Sequence, residues 1–262
     1  MSPWKNKNQN MIQAQKHVEN MNLLYENDIK DCIKTSIIYS GQPIPKFNIK
    51  NPTNTEIILD DTDSVSALYS CNENDIVAVL NFASYKNPGG GFMAGAMTQE
   101  EALCHESILY NVISNQRFKD KFYAPNRKRL HKALYNDNLI YTPNVTFIRN
   151  NKIMYADVIT CAAPNKGVAV DICNVNENAV NEKMQSRIQH ALYSALDNSV
   201  EIVILGAFGC GVFKNDPNDV ATLFKYELDT TFKGAFDKVI FAVPNKGRGS
   251  KNYRAFKEIL FN

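Results

Sequence analysis

Apolar positions along this chain follow two regimes. From Met11 onward they recur at helical spacing: Met11, Ala14, Val18, Met21 and Tyr25 share one face, which predicts a helix over 11–33. His17 falls beside that face as a half-exposed helix residue. Ser40-Gly41-Gln42-Pro43 reads as a turn, and Ile57-Ile58-Leu59 as one short strand between polar flanks. From Asp75 the regime changes. Residues 76–82 form a nearly continuous apolar run, as a strand covered on both faces requires. Similar runs predict strands over 157–162, 202–205 and 238–243. Helical patterns lie between and after them, over 99–115, 182–196, 219–230 and 253–260. Strands alternating with helices predict an α/β fold, a largely parallel sheet with helices on both faces. Residues 1–60 read as a helical extension packed on a single core over 61–262.

Composition narrows the class. At 44% hydrophobic and 21% charged, a chain of 262 residues can bury a core without disulfides or metals. A net charge of +2 argues against a broad nucleic-acid face. The clusters Arg127-Lys128-Arg129 and Lys246-Gly247-Arg248 are local and read as solvated loops. Six cysteines form no Cys-x-x-Cys pair, so free thiols and a reducing intracellular setting are expected, with Cys104 and Cys161 in the core. Residues 2–10 are mostly polar, unlike a signal peptide, and no window approaches a membrane span. His105-Glu106 lacks the second histidine of a zinc-hydrolase helix, so no metal is expected.

The chemistry concentrates in Asn87-Pro88-Gly89-Gly90-Gly91-Phe92-Met93-Ala94-Gly95-Ala96-Met97-Thr98-Gln99-Glu100-Glu101. Glycines bring bare backbone close to a ligand, since no Cβ intervenes and positive φ is cheap. Thr98 with Glu101 three positions later is also a capping box, and acids suit a helix start, so Glu101 has a purely structural reading too. A second glycine loop, Gly206-Ala207-Phe208-Gly209-Cys210-Gly211-Val212-Phe213, leads into a helix that Asn215 or Asp216 can cap, with Pro217 at its first position. Such a loop suits an anion. Its glycine order differs from Gly-x-Gly-x-x-Gly and comes late in the chain, which speaks against a dinucleotide oxidoreductase. The strand exits Ala163-Pro164-Asn165-Lys166-Gly167 and Val243-Pro244-Asn245-Lys246-Gly247 are alike and read as similar turns. Ligands of parallel sheets bind beyond the strand carboxyl ends, where both glycine loops fall, so the two could form one site.

The block from Val77 to Glu101, with Asn81-Phe82-Ala83-Ser84, Asn87-Pro88, Gly-Gly-Gly, seven residues and Gln-Glu-Glu, resembles the signature of microbial-type poly(ADP-ribose) glycohydrolases. The late loop with Asn215-Asp216-Pro217 resembles the same family, and the likeness runs from about Ile76 to Val243. It implies a macrodomain-like sandwich, a mixed, mostly parallel sheet between helix layers, with ADP-ribose in a cleft at the strand ends. It implies hydrolysis of the ribose–ribose O-glycosidic bond of poly(ADP-ribose), without cofactor, by a monomer acting on ADP-ribosylated proteins. Carried over by residue, Glu101 is the catalytic acid/base, Glu100 positions the ribose hydroxyls and Gln99 supports the pair. Asn87 contacts the distal ribose, and Gly89, Gly90 and Gly91 approach that ribose and the diphosphate. Gly206 and the run Gly209, Cys210, Gly211, Val212 and Phe213 form the diphosphate loop, with Phe213 packing near the distal ribose. Val243 and Asn245 neighbour the adenine. Phe208 stands where the family pattern leads us to expect tryptophan. Two other readings use the same residues: a non-catalytic ADP-ribose reader, in which Glu101 only caps its helix, and a hydrolase of another ADP-ribose linkage. Adjacent residues of a helix project about 100° apart. That geometry predicts one acid/base rather than a pair of carboxylates flanking the bond.

Overall fold

The computed structural model describes residues 3–49, 51–128, 130–247 and 249–262; Met1, Ser2, Lys50, Arg129 and Arg248 lie outside the described residues. Seven strands form one mixed sheet: β1 (Ile37–Tyr39), β2 (Glu56–Asp60), β3 (Val77–Phe82), β4 (Leu139–Arg149), β5 (Lys152–Cys161), β6 (Ile202–Leu205) and β7 (Lys238–Ala242), in the order β1-β4-β5-β3-β6-β7-β2. Strands β5, β3, β6, β7 and β2 pair in parallel, and β4 runs antiparallel to its neighbours β1 and β5. The helices are α1 (Pro3–Leu24), α2 (Glu26–Thr35), α3 (Ser64–Tyr69), α4 (Gln99–His105), α5 (Leu109–Ile113), α6 (Gln116–Phe118), α7 (Ala124–Lys128), α8 (Lys166–Asp171), α9 (Glu177–Asp197), α10 (Pro217–Asp229) and α11 (Gly249–Phe261).

The unbroken apolar runs follow from cover on both faces. In β3, Val77 and Val79 face the layer holding Ala14, Met21, Ile29, Val65 and Leu103, from α1 to α4. Ala78 and Leu80 face Met184, Ile188, Leu192, Phe224 and Phe256, from α9 to α11. Period-two alternation thus divides one run between two cores.

Three elements depart from expectation. The helix over 11–33 is two helices, kinked at Tyr25, whose φ of −128° is non-helical. The helix over 99–115 stops at His105, because Glu106 and Ile108 pair their backbones with β4: Ile148 N–H donates to Glu106 O at 2.8 Å and Ile108 N–H to Thr146 O at 3.1 Å. Strand β4 itself is hidden in sequence by Pro143-Asn144, which sits at a register shift between Thr142 and Val145. The segment read as a helical extension, 1–60, supplies two strands to the sheet, β1 at one edge and β2 at the other. Its first helix packs on the Gly-rich loop, where Asn10 Nδ2 donates to Gly95 O at 3.2 Å.

All six cysteines are free, and Cys104 and Cys161 are buried. Among the described residues, no helix is long and apolar enough to cross a membrane.

Candidate active site

Strands β3 and β6 are parallel neighbours, so the loops that leave them, residues 83–98 and 206–216, emerge side by side at one end of the sheet. Between them lies a cleft of about 670 Å³, within the range of small-ligand sites. Gly90, Gln99, Glu100 and Glu101 line it from the first loop and α4, and Gly209, Gly211, Val212 and Phe213 from the second loop. Val243, Pro244 and Lys246 beyond β7 and Asp63, Ser64 and Val65 at the start of α3 complete the wall.

The first turn of α4 is fastened to β3 by Gln99. Its Oε1 accepts from Phe82 N–H at 2.8 Å, and its Nε2 donates to Leu80 O at 2.8 Å and to Ser64 Oγ at 3.1 Å. Strand β6 stops pairing with β3 at Val79. The Gln99 amide takes over the strand edge beyond that point and satisfies the backbone groups a longer β6 would have used.

Glu101 is buried, and both of its oxygens are engaged: Oε1 accepts from Gly91 N–H at 2.7 Å, and Oε2 from Thr98 N–H at 2.9 Å and from the Thr98 hydroxyl. Glu100 is buried as well; its Oε2 accepts from Ser84 N–H at 2.7 Å, and Asn81 Nδ2 lies 3.4 Å from its Oε1. Burial, with the adjacent Glu101 charge adding to it, pushes the Glu100 carboxyl up to about 8. Between the ordinary carboxylate range and about 8 the folded chain therefore binds more protons than the unfolded one, and stability falls as pH rises through that window. Glu100→Gln is expected to flatten this fall, read as melting temperature across a pH series from 5 to 9 at about unit spacing; an unchanged slope removes Glu100 as its source.

The carboxylates leave the helix in different directions yet converge on Gly90. A Cβ there would lie 2.7 Å from both Glu100 Oε2 and Glu101 Oε1, and Gly90 has φ +58°. The triplet's own N–H groups serve the protein: Gly90 N–H donates to Asn87 O at 3.1 Å and Gly91 N–H to Glu101. What the bare glycine at Gly90 provides is the space that both acids occupy against the backbone. Gly90→Ala is expected to cost about 10²-fold in turnover by displacing them, with a melting temperature lowered only modestly; wild-type turnover would contradict that geometry.

In the second loop, Gly209 has φ +72° and packs on Ala163 and Asn215. Asn215 Nδ2 donates to Pro164 O at 2.9 Å and Gly209 O at 3.0 Å, tying the loop to the exit of β5. Asp216 caps α10, accepting from Asn218 N–H at 2.8 Å, with Pro217 at the first turn. Gly206 is buried and backs onto Ala242 O, where a Cβ would lie 2.7 Å away. Phe208 is buried against Phe82, ring centroids 5.6 Å apart. Gly211 and Val212 are exposed at the rim, and Phe213 is half-buried.

Of the residues singled out in sequence, nine therefore share the cleft wall: Gly90, Gln99, Glu100, Glu101, Gly209, Gly211, Val212, Phe213 and Val243. Gly89, Gly91, Gly206 and Cys210 belong to the loops behind it, and Asn87 and Asn245 are exposed beyond it. Sequence reasoning quoted Asn81 and Ser84 in the family signature but gave them no role, whereas they hold Glu100, and it missed Asp63, Ser64 and Val65. Asp63 accepts from the N–H groups of Val65 and Ser66, an N-cap whose signal is Asp63-Ser64-Val65-Ser66 before an apolar turn.

A mixed sheet between helix layers, with paired acids and an anion-suited loop meeting at its strand ends, defines a macrodomain-like hydrolase. The family model described as microbial-type PARG, catalytic domain, matches residues 7–150, and the chain belongs to that family of poly(ADP-ribose) glycohydrolases. Among solved structures, the poly(ADP-ribose) glycohydrolase of Thermomonospora curvata is similar over 96% of this chain and 99% of its own, at 27% identity and a TM-score of 0.83. A mutant poly(ADP-ribose) glycohydrolase of Deinococcus radiodurans in complex with ADP-ribose is similar over 89% of this chain and 97% of its own, at 31% identity and a TM-score of 0.82. The Thermomonospora curvata enzyme bound to the inhibitor ADP-HPD gives 27% identity, 96% and 99% coverage and a TM-score of 0.82. No curated protein matches the chain.

Proposed function

We infer that this protein hydrolyses the ribose–ribose O-glycosidic bond of poly(ADP-ribose) and releases ADP-ribose, with Glu101 as acid/base. The observation that carries the reading is the convergence of Glu100 and Glu101 on Gly90 inside a cleft shared with the second glycine loop. The ADP-ribose diphosphate lies along Gly209, Gly211 and Val212, and the distal ribose lies against Glu100 and Glu101 on the cleft side. Adenine lies toward Val243 and Asp63.

Cleavage of the bond from the anomeric carbon to the bridging oxygen passes through an oxocarbenium-like state and needs a proton on the leaving oxygen. Glu101 gives that proton, water adds to the anomeric carbon, and one of the water's two protons passes to the Glu101 carboxylate while the other stays on the new hydroxyl. Glu101 must enter the step protonated; the diphosphate brought by the substrate favours the neutral form of a nearby carboxyl and stabilises positive charge at the anomeric carbon. Glu100, held by Ser84 and kept largely neutral at physiological pH, presents a donor or acceptor to the ribose hydroxyls.

The enzyme works as a monomer inside the cell, on polymer carried by proteins. The free cysteines support the location. Parallel incubation with poly(ADP-ribose), mono-ADP-ribosylated protein and ADP-ribosylated nucleic acid tests the substrate. Free ADP-ribose is expected from the polymer; release from only the other two would replace the reading with a different linkage.

A further inference from the structure

Residues 119–132 carry six lysines and arginines against one acid, Asp120, in a chain whose net charge is only +2. The structure places the Arg127 part of this run at the acidic end of the cleft. Arg127 Nε donates to Lys86 O at 2.9 Å, two residues beyond Ser84, whose N–H holds Glu100. Further along, Tyr135 stacks on Tyr85 with ring centroids 4.1 Å apart, and Asn136 N–H donates to the Tyr85 hydroxyl at 3.1 Å. The same stretch reaches the opposite lip: the Tyr135 ring lies 6.3 Å from that of Phe213, and Asn165 N–H donates to Ala133 O at 2.9 Å. The segment therefore joins both lips of the cleft at the end where Glu100 and Glu101 stand. Lys86, Arg127, Lys128 and Lys132 are exposed, and no ion pair among the described residues neutralises them. Arg129 belongs to the same run in sequence.

Given the hydrolase reading above, on which this step rests, the terminal unit fills the cleft and the rest of the polymer continues past the acids. The next unit then presents its own diphosphate outside the cleft. We propose that Lys86, Arg127, Lys128 and Lys132 form a second polyanion subsite, which grips the diphosphate of the ADP-ribose unit on the far side of the scissile bond. Arginine offers a planar fork to phosphate oxygens, and the lysines add mobile point charges. A chain with several diphosphates engages this ridge, whereas free ADP-ribose does not reach it. The ridge thus separates affinity for polymer from affinity for product.

The test uses the full chain with Lys128→Glu and Lys132→Glu combined, leaving Arg127 on Lys86. Binding of long poly(ADP-ribose) is measured in the Glu101→Gln background, beside binding of ADP-ribose. Polymer affinity is expected to fall about ten-fold at about 50 mM salt, and the log–log salt slope to flatten by about 1.4, taking about 0.7 per phosphate contact on a single strand. ADP-ribose affinity stays level. In the active enzyme KM for long polymer rises by about the same ten-fold factor and kcat holds. The milder Lys128→Gln and Lys132→Gln pair, which keeps bulk and removes charge, is expected to show the same pattern at smaller size. Polymer affinity and salt slope unmoved in both pairs would overturn the subsite. A loss of affinity for single-stranded RNA with polymer KM unmoved would also overturn it, and assign the ridge to nucleic acid. Wild-type protein that binds polymer in this salt-dependent way yet releases no ADP-ribose would defeat the hydrolase reading and leave the subsite standing.

Discussion

Glu101→Gln is expected to bind ADP-ribose with wild-type affinity and to lose about 10²–10⁴ in polymer turnover. Glutamine keeps an oxygen for the Thr98 or Gly91 N–H, so the first turn of α4 remains supported. It holds no proton that can be given to a leaving oxygen. The engagement of both Glu101 oxygens within the protein is also what a helix cap alone would show. The two roles separate cleanly in measurement: a cap lowers the melting temperature of the variant and leaves kcat alone, whereas an acid/base lowers kcat with ADP-ribose affinity and folding intact. Wild-type turnover in Glu101→Gln would leave Glu101 as a helix cap and move the acid elsewhere in the cleft, whereas wild-type protein that binds ADP-ribose and turns over no polymer would be a reader of ADP-ribose.

Asp137→Ala is expected to cost about 3–5 kcal/mol of folding stability, read from denaturant midpoints. Arg187 is fully buried, and its Nε donates to Asp137 Oδ1 at 3.0 Å. Lys183 and Ser186 donate to Asp137 Oδ2 at 2.8 and 2.9 Å, and the Arg187 fork also reaches Leu134 O and Ala162 O. Burial acts against ionisation here, but the charges of Arg187 and Lys183 prevail and hold the Asp137 carboxyl below the usual range. Removing the acid strands a guanidinium in the interior, which is costlier than the pair is valuable. Replacing both partners, Asp137→Leu with Arg187→Met, is therefore expected to restore much of the loss. A single-variant cost under about 1 kcal/mol would mean that water reaches Arg187.

How far the sequence discloses this architecture depends on the range of the force that shapes each part. Strands β3, β6 and β7 are legible because a doubly covered strand is apolar without interruption. Strand β4 is not, because its Pro143-Asn144 bulge breaks the pattern and its partner β5 is what holds it straight. The two glycine loops are legible as local chemistry, and the parallel adjacency of β3 and β6 brings them together as expected from strand-end binding. The convergence of Glu100 and Glu101 on Gly90 is not legible, since helical periodicity separates them and only the turn of residues 89–91 places a bare Cα between them. The Asp137–Arg187 pair lies fifty positions apart in sequence and carries no local signal. The cluster Arg127-Lys128-Arg129 is plain in sequence and reads there as a solvated loop, but the seating of Arg127 on Lys86 beside the cleft exists only in three dimensions.

The Gln99 amide, inserted where β6 ends, couples the acidic turn to β3 at the centre of the sheet. Across the cleft, Gly211 has no atom within 4 Å of its Cβ direction, and Val212 is 80% exposed. One jaw of the vice is thus bolted to its bench, while the tip of the other stands uncovered. A side chain added at Gly211 meets open space, whereas one added at Gly90 drives straight into the acids.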